Sequence, residues 1–202
     1  MLRATELALF LGGSYLLGSV PFAYLISKWV KGIDIRKVGS RNPGAANVIA
    51  QVGKGAGAVV TVLDMSKGLV PVLFARSLGL PLWAAGLAGV SAVVGHCWPV
   101  FLRFDGGEGM NTAMGALLAL VPLEFFVVLS AGVVVGFLSG LLRLKGWFGS
   151  KVNFGASVGF PLLFGLLFLL RRPLPIVLTV VLLVAVLALR QVQVAGTHSR
   201  DF

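Results

Sequence analysis

Runs of near-continuous hydrophobicity, each on the scale of the roughly 20 residues that a helix needs to cross a bilayer, recur along the whole chain and are separated by polar segments rich in glycine and charge. No other feature restricts the fold as much. A helix that is apolar on every side must be buried, and 202 residues with 57% hydrophobic and 12% charged side chains leave too little polar surface to cover such helices in water. Lipid removes that need, and a mean hydropathy of +0.97 agrees with it. The N-terminal run follows a weakly charged start, Arg3 offset by Glu6, without the basic region and small-residue cleavage site of a secretory leader, so it reads as the first span.

That first span covers residues 7–30 and is interrupted only by Gly12, Gly13, Gly18 and Pro21. Spans two and three cover 56–80 and 82–98. Residues 111–142 would extend about 48 Å as one helix, too long for a single crossing, and Pro122 with Glu124 supplies a turn between a short fourth span and a fifth. Residues 154–170 and 174–189 complete the set, divided by Arg171, Arg172 and Pro173. The expectation is an all-α integral membrane protein, a single membrane domain over 1–202, with seven transmembrane helices and five as the alternative. Polar loops cover about 31–54, 99–111 and 143–153.

Charge sets the orientation. In the seven-span reading one side holds Lys31, Arg36, Lys37, Arg41, Lys54, Arg103, Arg143, Lys145, Lys151, Arg190 and Arg200, whereas the other holds Arg3, Arg76, Arg171 and Arg172. The positive-inside rule then puts the three loops and the C-terminus in the cytoplasm and the N-terminus outside. The net charge of +10 is explained by attraction to anionic membrane lipids, without nucleic acid.

The first loop contains Gly39, Ser40, Arg41, Asn42, Pro43, Gly44 and Asn47. Glycines that let backbone N–H groups converge, with hydroxyl, amide and cationic side chains beside them, suit a phosphate; the same residues also suit an ordinary turn with a solvated basic patch. The second loop runs from His96 through Asp105, Gly106, Gly107, Glu108 and Gly109 into a helix. Its glycines form an anion cradle, but its two acids favour capping that helix or binding something cationic. Asp64 and Lys67, three apart in span two, share a helical face and are expected to turn inward, as an ion pair or toward the cytoplasmic site. His96, at the junction of span and loop, has the side chain for acid–base work near neutral pH, and equally suits packing at a helix end. One cysteine, Cys97, excludes an internal disulfide, and with His96 and His198 far apart no metal or other cofactor is expected.

Taken together, Gly18 to Phe22, Tyr24 to Lys28, Asp34 to Asn47, Asp64 to Gly68 and Gly95 to Phe104, followed by Gly106, Gly107 and Gly109, resemble the bacterial acyl-phosphate:glycerol-3-phosphate acyltransferases, the PlsY type. The strings occur in the order and spacing of that family over about the first three-fifths of the chain. The resemblance implies a seven-span protein of the bacterial inner membrane with its site facing the cytoplasm. Its substrates would be acyl phosphate and glycerol 3-phosphate, its products lysophosphatidic acid and phosphate, with no cofactor. It implies catalytic work for His96, Ser40 and Asn47, and substrate binding by Gly39, Asn42, Gly44, Lys67, Gly106, Gly107 and Gly109; Arg41, a departure from the family, is expected to join the binding residues by supplying the charge lost at Ala50. Departures are concentrated in the loops: the family usually has glycine at Arg41, threonine at Ala46, arginine at Ala50 and lysine at both Asp105 and Glu108, and its serine-rich third-loop string is replaced around residues 153–156, with Ser157 out of register. The alternative is a non-catalytic paralogue that binds a lipid or a partner protein. A transporter has less support, since charges within the spans are few and no inverted repeat is visible.

Overall fold

The computed structural model describes residues 3–141 and 151–198, which form α-helices joined by short loops and single 3-10 turns. In chain order the helices are α1 (Ala4–Ser19), α2 (Phe22–Lys31), α3 (Ala45–Gln51), α4 (Lys54–Ser77), α5 (Leu82–Cys97), α6 (Met110–Leu120), α7 (Pro122–Leu141), α8 (Lys151–Leu169) and α9 (Leu174–His198). Among the described residues, four helical segments have the length and apolarity to cross a membrane: Ala4–Lys31, Lys54–Ser77, Leu82–Leu102 and Leu174–Gly196. Shorter apolar helices accompany them at Met110–Leu120, Pro122–Val135 and Val158–Leu169.

Two expectations are corrected. The first apolar run is not one helix, because Pro21 has no N–H to continue the ladder and the chain breaks at Val20 and Pro21 before α2 begins. The last helix does not stop with the apolar run at Leu189: it continues to His198, so Arg190 lies within α9 and not in a tail. Pro122 does divide the fourth and fifth apolar helices, where a proline at the first helical position costs no hydrogen bond. The buried Glu124 carboxylate just inside α7 takes a two-point ion pair from Arg172, Nε at 2.5 Å and Nη2 at 3.1 Å, tying that turn to the one before α9. The expected third-loop basic residues Arg143 and Lys145 lie outside the described residues, as do the side chains of residues 151–157.

In lipid, apolar burial does not drive helices together, so close backbone packing must. α5 sits centrally, packed against α1, α4, α6 and α9. A Cβ on Gly18 would strike the Ala92 carbonyl, and one on Gly95 the Tyr15 carbonyl, so α1 and α5 meet backbone to backbone. Gly68 and Gly115 do the same for α4 and α6, against Thr112 and Met65. These contacts lock the helix positions next to Lys67 and His96. Outward, Leu9 and Phe168 are 77% and 88% exposed, an arrangement that suits lipid and not water.

Candidate active site

The first loop is organised from within. Asp34 accepts a hydrogen bond from the Arg36 amide and binds its guanidinium at two points, Nε to Oδ1 at 3.1 Å and Nη2 to Oδ2 at 2.9 Å. The same guanidinium lies 5.2 Å from the centre of the Tyr24 ring. Hydrogen bonding from Arg36 holds the Asp34 carboxyl below the ordinary carboxylate range, outweighing its partial burial. Asn47 on α3 is buried, and its carboxamide gathers the loop: Nδ2 donates to the carbonyls of Ile35 (3.0 Å), Val38 (3.0 Å) and Asn42 (3.1 Å), while Oδ1 accepts from the Ser40 amide at 3.2 Å. Gly39 has φ +59° and backs onto Asn47 and Gln51, where any side chain would collide. Gly44 is the N-cap of α3.

The second loop is held from α9. Arg190 is 9% exposed and donates from Nε to the Gly107 carbonyl (3.2 Å) and from Nη2 to the Gly106 carbonyl (2.5 Å). Gly107 in turn donates its amide to the His96 carbonyl at 3.2 Å, and a Cβ on it would strike the imidazole Nε2. Further along α9, Gln193 accepts from the Trp98 indole N–H at 3.0 Å. Neither Asp105 nor Glu108 caps α6: its N-cap is Gly109, at φ +83°, with no side-chain hydrogen bond. Asp105 instead faces two arginines, 4.0 Å from Arg36 Nη1 and 3.7 Å from Arg190 Nη2.

Between the loops and the bundle lies a buried polar cluster. Lys67 Nζ is 2.7 Å from Asp64 Oδ1, 3.4 Å from His96 Nδ1 and 4.9 Å from the centre of the Phe22 ring. His96 Nδ1 thus faces Lys67 and, at 3.7 Å, the Asp64 carboxylate, while its Nε2 is turned to Gly107.

Above this cluster is a cavity of about 780 Å³ lined by Arg36, Ser40, Arg41, Asn42, Asp105, Gly106 and Arg190, among others. Three guanidiniums line it against the Asp105 carboxylate and the Asp34 carboxylate that pairs with Arg36, so one positive charge is left over and it favours an anion. Pro43 and Gly106 are shared with a small recess lined by Ser19, Asp64, Lys67, His96 and Gly107. A separate apolar groove of about 360 Å³ runs between α6, α7 and α8 beside Met110, Met114, Phe125 and Leu163. Of the residues singled out from sequence, Ser40, Arg41, Asn42 and Gly106 thus line the cavity, Lys67, His96 and Gly107 line the recess, and Gly39, Gly44, Asn47 and Gly109 shape the loops behind them. Sequence reasoning missed Arg36 and Arg190 as side chains of the site. The signal for Arg190 was present: it ends an apolar run on the side of the chain assigned to the loops. Ala50 is exposed on α3, and Glu108 lies outside the cavity lining. No group of three His, Cys, Asp or Glu side chains suited to a metal occurs among the described residues.

A family model described as glycerol-3-phosphate acyltransferase matches residues 8–196. Glycerol-3-phosphate acyltransferase 4 of Dehalococcoides mccartyi is 48% identical over 123 residues, which cover 61% of this chain and 53% of that protein. The glycerol-3-phosphate acyltransferase of Rubrobacter xylanophilus is 53% identical over 54% of each chain. The chain therefore spans about half the length of these two curated relatives. With the glycerol-3-phosphate acyltransferase of Synechococcus sp. (strain CC9902) it shares 42% identity over 81% of this chain and 77% of that one. Among solved structures, PlsY, an integral membrane glycerol 3-phosphate acyltransferase, in its glycerol 3-phosphate form superposes with a TM-score of 0.80 at 30% identity, covering 97% of this chain and 93% of that one. Its lysophosphatidic acid form gives a TM-score of 0.77 at 28% identity. With the apolar helices and the two loops already described, these matches establish that the chain is a membrane protein and belongs to the glycerol-3-phosphate acyltransferase family.

Proposed function

We propose that the chain transfers an acyl group from an acyl phosphate to the first hydroxyl of glycerol 3-phosphate, giving lysophosphatidic acid and phosphate. The observation that carries this reading is the arginine-lined cavity backed by the buried Lys67–His96 pair, with an apolar groove available in the same bundle. Two phosphorylated substrates need cations and loop amides, and an acyl tail needs an apolar channel. In the step itself the glycerol oxygen bonds to the acyl carbon, the bond from that carbon to the phosphate oxygen breaks, and the hydroxyl proton ends on the released phosphate. His96 and Lys67 serve as electrostatic support for charge that develops on oxygen. Ser40, Arg41 and Asn42 bind at the cavity wall, and Asn47 with the loop glycines keeps that wall in shape.

The crossing segments in this reading are α1 and α4 through α9, seven in all, with the N-terminus outside and the C-terminus cytoplasmic. The eleven-residue α6 would reach only about 16 Å, so its loop must dip into the headgroup layer, where membrane lipids and a soluble phosphate can meet. The loops near 31–54, 99–111 and 143–153 face the cytoplasm of a bacterial inner membrane. The excess of arginines in the cavity speaks against a paralogue that holds a cationic headgroup. The deciding experiment gives the purified protein radiolabelled glycerol 3-phosphate and palmitoyl phosphate. Labelled lysophosphatidic acid is the expected product; binding of both substrates by folded protein without turnover would establish the non-catalytic reading instead.

A further inference from the structure

Two acids sit three residues apart in the second loop, and the fold gives them different surroundings. Asp105 lines the cavity between Arg36 and Arg190, whereas Glu108 is not part of that lining. The two arginines come from distant parts of the chain, and each is anchored by contacts that do not involve Asp105. Arg36 is held at two points by Asp34 and lies over Tyr24; Arg190 is held by the Gly106 and Gly107 carbonyls. Their side chains are 26% and 11% exposed, that of Asp105 66%. Two fixed guanidiniums thus converge on one solvent-facing carboxylate, through Arg36 Nη1 and Arg190 Nη2, in a place that a phosphoryl group would also favour, since both groups accept charge-assisted hydrogen bonds from guanidinium N–H donors.

We infer that Arg36 and Arg190 form an anion clamp whose resting counter-ion is Asp105, and that a phosphoryl group binds by displacing that carboxylate. The inference rests on the reading of the cavity as a phosphate site. Asp105 is the mobile member because water can solvate it as it leaves, while Arg190 cannot move without releasing two backbone carbonyls. The clamp is therefore self-occupied at rest, and an incoming dianion meets two cations already matched by two carboxylates, Asp34 and Asp105, of which only Asp105 is free to leave. Removing that charge while keeping the shape of the side chain opens the clamp to ligand. Removing the charge of Glu108 changes the net charge by the same amount and leaves the clamp as it was.

The test uses the full chain in detergent at low ionic strength, titrated calorimetrically with inorganic phosphate and with glycerol 3-phosphate. Asp105→Asn is expected to tighten inorganic phosphate at least about fivefold, less than the coupling measured for close buried charge pairs because Asp105 is largely solvated, and Glu108→Gln to leave it within about twofold. On an Arg190→Lys background, with folding checked by thermal melt, the gain from Asp105→Asn is expected to shrink, because a lysine ammonium cannot hold the two loop carbonyls in the fixed fork of a guanidinium and also face the anion; Arg36→Lys provides the same comparison if Arg190→Lys does not fold. Equal gains from Asp105→Asn and Glu108→Gln would reduce the effect to net charge and overturn the clamp. Weaker phosphate binding in Asp105→Asn would also overturn it, making Asp105 a residue that orients the arginines for ligand. If the wild type binds and Asp105→Asn changes nothing, the clamp fails alone; if neither ligand binds the wild type or any variant, the phosphate reading of the cavity fails with it.

Discussion

Lys67 Nζ stands 2.7 Å from Asp64 Oδ1 on one face of α4, and the two side chains are 2% and 1% exposed. A charge at that depth is costly unless matched, and here the match is local, three residues apart on one helix. His96 from α5 closes the group, with Nδ1 3.7 Å from the same carboxylate oxygen. The pair therefore joins the packing of the bundle to the floor of the site.

Replacing Lys67 alone is expected to harm the protein more than replacing both partners. Lys67→Met strands a buried carboxylate and should cost roughly 3–5 kcal/mol, while Asp64→Leu/Lys67→Met removes both charges and recovers most of the loss. Thermal melts in detergent decide it: equal stability of the single and double variants would mean that the two residues do not act as a pair.

Cysteines placed at Ser40 and Arg103 are expected to resist an impermeant thiol reagent in intact cells and to react after permeabilisation, because the basic residues cluster on that side. Cys97 is buried and gives little background. Labelling of either position from outside would reverse the proposed orientation.

The Asp34–Arg36 pair should show in the pH dependence of stability. The Asp34 carboxyl titrates below its ordinary 3.8 when folded. Its contribution is therefore fully present above that ordinary value and is lost as pH falls through the lower folded value. Asp34→Asn should be less stable than wild type by roughly 1 kcal/mol or less at neutral pH, with the difference constant down to about pH 5 and shrinking below about pH 4. A difference that grew on acidification would contradict the direction of the shift.

Much of this architecture was legible because a bilayer makes hydrophobicity nearly sufficient to locate helices. Residues 56–80 and 82–98 anticipated α4 and α5 to within a few residues, and Pro122 marked the start of α7. Pro21 was read as tolerated within a span, as prolines in membrane helices often are, but here it separates α1 from α2. The end of α9 escaped for a different reason. Where the apolar run stops at Leu189 the helix does not, because Arg190 and Gln193 find partners in the second loop that no local pattern reveals. The expected loop at 31–54 contains α3, and sequence could not divide the polar residues of the first two loops into those facing the cavity and those, like Asn47, that hold the loop together.

Arg41 has φ +59°, a left-handed conformation, and lines the cavity. A side chain there costs roughly 1–2 kcal/mol, whereas glycine at the same position costs about 0.5–1 kcal/mol in chain entropy. Arg41→Gly should therefore leave the melting temperature unchanged or slightly higher while raising the KM for glycerol 3-phosphate about threefold or more, as a lost charge-assisted contact would. A lower melting temperature with an unchanged KM would show that Arg41 serves the loop and not the ligand.

Ser40 and Asn47 separate the two jobs of the first loop. Asn47 is 4% exposed and engages four backbone groups, whereas Ser40 is exposed and lines the cavity. Asn47→Ala would leave the Ser40 amide and the carbonyls of Ile35, Val38 and Asn42 without their partner. Stranding even one or two of these groups costs roughly 1–3 kcal/mol each where water cannot reach them, so stability and activity should fall together. Ser40→Ala removes a hydroxyl and no backbone contact, because the Ser40 partner of Asn47 is its amide. Its melting temperature should stay within a degree or so of wild type, since surface changes away from such features usually shift stability by under about 0.5 kcal/mol, while kcat/KM falls about tenfold. Added glycerol 3-phosphate at saturation would distinguish binding from chemistry in Ser40→Ala, and would not rescue Asn47→Ala at a temperature where its loop has opened. If Ser40→Ala destabilised the protein as much as Asn47→Ala, the division between a cavity-facing serine and a loop-building asparagine would have to be abandoned, and the cavity wall assigned to the backbone amides alone.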